Sequence, residues 1–216
     1  LGQLQRIAPA DTAARARDRA EAAKDWLSES DRNRALSQAV ELGQTYPGYG
    51  MPVEDLRSSV EAWRSSDPRG ALRAQGAVTA LTDLAPDWAT LSVLMTATAE
   101  NAEDSGALRQ AALDAATNAW LRDPGDGAGN LALWAKAADA LGRGRDGLKA
   151  LRTGPADAPA IAAILDEFEG RYGFRVTDHN VSGDGPEPRL CMFFSENVAR
   201  NVDLRPYVGL PDPALG

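Results

Sequence analysis

Along residues 1–171 apolar positions recur at helical spacing. Leu56, Val60 and Trp63 fall at i, i+4 and i+7, and Ile161, Ile164, Leu165, Phe168 and Tyr172 extend a second stripe to i+11. A stripe of this kind has to meet another helix, because one exposed apolar face would otherwise stay in water. Start signals cut the region into short pieces: Pro52 before "VEDL", Asp67 before Pro68, Asp87 after Pro86, Asp104 and Ser105 before "GALRQAAL", and Asp123 before Pro124. The pattern predicts an N-terminal helix over 12–28, another over 32–44, and about eight or nine helices in all, each roughly two to four turns long. Short polar or glycine-containing connections turn each helix back on its neighbour, so the fold class is mainly α: antiparallel helical hairpins stacked as a tetratricopeptide-like array or an irregular α-solenoid.

A strict repeat is not present. "LALWAKAADALGRGRDGLKAL" supplies a tryptophan, a small pair at Ala137 and Ala138, then Leu141 and Ala150, yet Gly154 stands where the next large apolar residue belongs. The spacing between Pro68, Pro86 and Pro124 is also uneven. The expectation is therefore a repeat-like array without a fixed period.

The pattern changes near residue 170. All five tryptophans (Trp26, Trp63, Trp88, Trp120, Trp134) precede it, three of the four phenylalanines (Phe174, Phe193, Phe194) follow it, and alanine almost disappears. Gly173 ends the long amphipathic helix, and "FRVTDHNV" begins a strand with Phe174, Val176 and Asp178 on one face. "SGDGPEP" is a turn cluster, "RLCMFFS" an apolar run of strand length, and "VDLRPYVGL" a further extended piece that its proline confines to an edge or bulge. Residues 1–171 thus form a helical domain, and 172–216 hold the two or three strands of a short, incomplete β segment.

Composition narrows the function. The chain has 216 residues, 44% hydrophobic and 25% charged, which is ordinary for a folding globular protein. Its net charge of −8, from 23 basic and 31 acidic residues, disfavours nucleic acid as a partner. No window approaches the roughly 20 apolar residues of a membrane span, and the first residues lack the apolar core of a secretion signal. The chain does not begin with methionine, which leaves export open.

Candidate chemistry is sparse. Gly142, Gly144 and Gly147 match GxGxxG, but they follow a helical run rather than a strand, so helix termination explains them better than a dinucleotide site. His179 is the sole histidine and Cys191 the sole cysteine, which excludes multi-histidine and multi-cysteine metal cages. Cys191 lies among Leu190, Met192, Phe193 and Phe194, an apolar setting that favours a core cysteine or half of a disulfide over a thiolate nucleophile paired with His179. The carboxylates at Asp166, Glu167 and Glu169, and at Glu100, Glu103 and Asp104, read as solvated helix faces and termini. "DPGDGAGN" lacks the ligand pattern of a calcium loop, and "NVS" matters only in a glycosylating pathway. Most of the five tryptophans are expected to pack between hairpins, with Trp63 and Trp134 the candidates for protein contact. No catalytic residue and no cofactor is expected.

The C-terminal run resembles the entry to the first macroglobulin-type β domain of large bacterial alpha-2-macroglobulin family proteins. An ordered series carries the resemblance: "YGFRV" (Tyr172 to Val176), "PRLC" (Pro188 to Cys191), "FSENV" (Phe194 to Val198) and "DLRPYV" (Asp203 to Val208). "AALDAATNAWL" and "GLKALR" are similar to the alanine-rich helical region that precedes that domain. The resemblance implies a periplasmic or cell-envelope protease trap, lipid-anchored through a missing N-terminus, of which this chain is a non-catalytic segment. The family's Cys-Gly-Glu-Gln thioester motif is absent. Its partners would be the further β domains of the parent chain and, through the parent, proteases. Cys191 would then lie on an early strand and pair with a cysteine outside this chain. The rival expectation is an independent helical-repeat module that recognises a peptide or protein on a concave surface.

Overall fold

The structure, a computed structural model, describes residues 10–123, 125, 127–182, 189–195, 197–198 and 203. The chain divides into two compact units, Leu1–Tyr172 and Gly173–Gly216, one residue from the boundary that composition marks. Among the described residues the first unit holds nine helices: α1 (Ala10–Ala22), α2 (Glu29–Thr45), α3 (Val53–Trp63), α4 (Pro68–Thr82), α5 (Ala85–Ala99), α6 (Ser105–Arg122), α7 (Ala128–Ala140), α8 (Gly144–Thr153) and α9 (Pro159–Tyr172). Among the described residues the second unit holds two strands, β1 (Val176–Ser182) and β2 (Arg189–Phe194). The mainly helical array with a short β segment is thus observed.

Local chemistry sets the helix ends. Ser28 caps α2 by accepting from the Asp31 amide at 3.1 Å, while its hydroxyl donates to Asp31 Oδ2 at 2.7 Å. That cap, with extended backbone at Ser28, starts α2 at Glu29 rather than residue 32. It also shortens the N-terminal helix from the expected 12–28: α1 ends at Ala22, and the chain turns so that Trp26 and Leu27 point inward. Asp67 caps α4 by accepting from the Gly70 amide at 2.8 Å, with Pro68 in the first turn. α5 begins at Ala85, two residues before the expected Asp87, because Pro86 fits its first turn. The GxGxxG glycines serve helix ends and close packing. Gly142 (φ 75°) lies in the α7–α8 connection, and Gly144 and Gly147 lie in α8 beneath the rings of Tyr172 and Phe168.

Consecutive helices from α3 to α9 pack on each other, and α7 also meets α5 and α9. α2 instead lies across α4 and α6, and α1 lies against α6. This makes α6 the centre of the unit. Every residue from 112 to 122 is buried, which explains why its sequence shows little amphipathic bias: a helix covered on all sides has no polar face to display. Alanines at 112, 115, 116 and 119 let its neighbours approach. One core cluster gathers Trp26, Trp120 and Trp134 with Leu36, Leu113, Leu121 and Leu131. A second gathers Leu42, Val60, Trp88, Leu91 and Met95, and a third Leu148, Leu151, Ile161, Ile164 and Phe168.

In the second unit β1 and β2 pair antiparallel, and the register slips between Val176 and Asp178. Val176 faces Phe194, but Asp178 faces Phe193, so the extra residue sends Asp178 to the opposite side. The expectation of Phe174, Val176 and Asp178 on one face is corrected accordingly, since a period of two fails across a bulge. The result is a mostly apolar side with Val176, Val181, Leu190, Met192 and Phe194 around His179, on which Phe174 stacks against Phe194 at 5.0 Å, while Phe193 lies on the other side with Asp178, Asn180 and Cys191. The turn at 183–188 lies outside the described residues, as does the expected extended piece "VDLRPYVGL" except for Asp203.

Candidate functional site

The face of the array that α4 and α6 present is closed by α2. Arg34 donates from Nε to both oxygens of Asp114 at 3.0 and 2.9 Å, and its Nη2 reaches Asp31 at 2.7 Å. Gln38 donates to the Ala111 carbonyl at 2.9 Å, Asn118 donates to the Ala35 carbonyl at 2.7 Å, and Arg143 pairs with Asp31 at 2.9 Å. A surface that a repeat protein could offer to a partner helix is filled here by the chain itself.

These groups titrate in opposite senses. Burial pushes the Asp31 carboxyl up, but its bonds from Arg143, Ser28 and Arg34 outweigh burial and hold its pKa at about 2 against an ordinary 3.8. Burial dominates at Asp114 and raises its pKa, with Arg34 opposing. Asp31 therefore contributes stability that is fully present above about pH 4 and is lost as pH falls through about 2. Asp114 works the other way, because its ionised form is the disfavoured one in the fold. Urea unfolding as a function of pH is expected to show a stability loss below about pH 4 that is reduced in Asp31→Asn; an unchanged acid limb in the variant would contradict this assignment.

One open groove lies beside this seam. A groove of about 330 Å³ runs between the α2–α3 connection, α3 and α4, lined by Tyr46, Pro47, Tyr49, Met51, Leu56, Trp63, Asp67 and Arg73 among others. The connection "YPGYGMP" builds one wall. Tyr49 (φ 49°) and Gly50 (φ 75°) both have positive φ, and the Met51 amide donates to the Gly48 carbonyl at 2.9 Å, which closes a tight turn. A left-handed tyrosine is uncommon, and this one presents its ring 88% exposed. Trp63 forms the other wall at 43% exposure.

Two glycines of α4 seat the aromatic rings. A Cβ at Gly76 would overlap the Tyr46 ring, and one at Gly70 would overlap the Asp67 carboxylate and come 3.2 Å from Trp63 Cε3. Glycine in a helix costs roughly 1 kcal/mol relative to alanine, so these positions favour room for the rings over helix propensity. Burial, with the negative charge of Asp104 adding to it, raises the Tyr46 pKa, and the ring presents a neutral phenol.

The candidates named from the sequence separate here. Trp63 lines the groove, but Trp134 does not belong to any surface: it is fully buried, 4.6 Å from Trp26, and donates from Nε1 to Thr117 Oγ1 at 3.0 Å. A contact role for Trp134 is therefore corrected to a core role. An indole whose N–H meets a neighbouring helix can be buried without loss. Trp26, Trp88 and Trp120 are buried as well. Cys191 is an exposed free thiol among the described residues rather than a core cysteine, because it pairs with Asn180 on the side of the hairpin away from Leu190 and Met192. His179 pairs with Met192, one position along, and so lies on the face opposite Cys191. The two cannot form a dyad in this register. No cluster of three metal-ligating side chains and no helix long and apolar enough to cross a membrane occurs among the described residues.

Sequence pattern does not single out Tyr46, Tyr49, Met51 or Arg73, and marks Asp67 only as a helix start. The available signal was the Tyr, Pro and Gly cluster between two helical stripes. A scan of protein-family models, a search of curated proteins and a search of solved structures each give no match to this chain.

Proposed function

We propose that this chain is a non-catalytic scaffold: a helical region leading into the first strands of a macroglobulin-like β domain, in a cell-envelope protease trap of the alpha-2-macroglobulin type. The observation that carries the reading is the hairpin. Val176, Val181, Leu190 and Phe174 keep 51%, 63%, 43% and 56% of their surface exposed on a two-stranded sheet. Two strands with one apolar side are marginal alone, and further strands or a second sheet would cover that side in a sandwich. The resemblance carried by the ordered series from "YGFRV" to "DLRPYV" is what favours a macroglobulin-type sandwich. Exposed Cys191 leaves its thiol accessible to a cysteine on a neighbouring strand, as the resemblance implies.

Hydrogen exchange tests the reading on the protein itself. In the 216-residue chain the β2 amides should exchange much faster than those of α6, and in a chain extended into the reading frame after Gly216 they should become protected. Equal exchange in both forms, or a frame without further β segments, would remove the proposal.

A second reading, a protein-binding module, is favoured by the aromatic groove with Trp63 exposed. Because α2 fills the α4 and α6 face, such binding would use the groove instead of that face. Trp63→Ala should abolish a saturable partner interaction without unfolding the array.

A further inference from the structure

The geometry points to the aromatic groove as a binding site for a small zwitterion of the betaine type, with a quaternary ammonium group a few atoms from an anionic one. Three rings, Tyr46, Tyr49 and Trp63, line the groove. Aromatic faces carry the negative part of the ring quadrupole and attract alkylated ammonium ions, which hold their water weakly and bring an apolar surface that suits the same walls.

The charges of the lining add an orientation. Asp67 uses Oδ1 to cap the Gly70 amide, and its Oδ2 stands 3.9 Å from Arg73 Nη2, at the outer limit of an ion pair. Both side chains are more than half exposed, 53% for Asp67 and 67% for Arg73. The groove therefore offers a carboxylate and a guanidinium side by side, only loosely satisfied by each other. A simple cation would meet the rings and Asp67 but also Arg73, and a simple anion would meet Arg73 against the aromatic faces. A betaine matches both: its methylated nitrogen lies against the rings and Asp67, and its carboxylate accepts from Arg73. The site is compact enough for this class, at about 330 Å³. The inference does not depend on the protease-trap reading.

Calorimetric titration of the full chain with glycine betaine, tetramethylammonium and glycine tests it. Betaine should bind saturably at one site, tetramethylammonium more weakly, and glycine, which lacks the methyl groups, not measurably. Tyr49→Ala removes a ring that is already 88% exposed, so the fold should persist by circular dichroism while betaine affinity falls about tenfold. Arg73→Ala should weaken betaine and leave tetramethylammonium unchanged or tighter. No saturable betaine binding, betaine affinity indifferent to Tyr49→Ala, or tetramethylammonium binding as tightly as betaine with Arg73→Ala without effect would each overturn the assignment.

Discussion

Replacing Asp83 by alanine should destabilise the helical unit by about 3–5 kcal/mol, because it strands a buried cation. The Arg122 side chain is 1% exposed, and its Nε lies 2.6 Å from Asp83 Oδ1. Its other contacts do not replace that carboxylate: Nη1 donates to Asn118 Oδ1 at 2.6 Å, and the guanidinium lies 5.1 Å from the Trp88 ring centre. Burial already lowers the Arg122 pKa, with Asp83 opposing, so the charge is held against its desolvation mainly by this pair. Asp83 also accepts from Trp88 Nε1 at 2.8 Å and ends α4 with φ 51°, a conformation in which alanine is strained. Asp83→Asn separates the contributions. It keeps an oxygen for the indole and tolerates the left-handed backbone, so it should lose less than Asp83→Ala. Guanidinium unfolding curves measure both, and a loss under about 1 kcal/mol for Asp83→Ala would show that Arg122 finds other compensation.

Trp134→Ala is expected to cost about 3–5 kcal/mol through a cavity at the centre of the array. The indole is fully buried among residues of α6, α7 and the α1–α2 connection, edge-on to Trp26, which in turn meets Trp120 at 5.8 Å. Its removal also leaves Thr117 Oγ1 without the indole donor, although that hydroxyl still donates to the Leu113 carbonyl at 2.9 Å. Thermal unfolding should shift down by several degrees, and the quenching environment of the remaining buried tryptophans should change. Trp63→Ala, at a 43% exposed position, should by contrast change stability by less than about 1 kcal/mol. A reversed order would mean that the aromatic roles are exchanged.

The contrast between these tryptophans shows where the sequence was legible. Periodicity located the α9 stripe, whose Ile161, Ile164 and Phe168 are buried with Leu165 and Tyr172 at its border. It located Leu56 and Val60 of α3 too, but the same stripe ended on Trp63, which faces the groove. Periodicity reports which residues share a face; it cannot tell where a neighbouring helix stops covering that face. Trp134 was ambiguous for a related reason. α6 and α7 are rich in alanine, and whether a tryptophan among alanines is covered depends on α1 and α2, which come from far along the chain.

Long-range polar partners were illegible for the same reason. Arg34 and Asp114 are 80 positions apart, and Asp31 and Arg143 are 112 apart. Nothing local in either sequence announces the pair. The β segment was legible as an element because its composition breaks with the helices, but a single-residue bulge at Thr177 changed which side chains share a face. Cys191 followed from that register: Leu190, Met192 and Phe194 are apolar, yet alternation turns them to the other side and leaves only Phe193 beside it.

The function proposed above is that of a non-catalytic scaffold whose hairpin would open the β domains of a protease trap. The direct measurement is protease activity on a large protein substrate, in the presence of either this 216-residue chain or the protein read through past Gly216. On this proposal the longer protein should suppress cleavage, and this chain, at equal concentration, should leave it unchanged. Inhibition by this chain alone, or none by the longer protein, would contradict it.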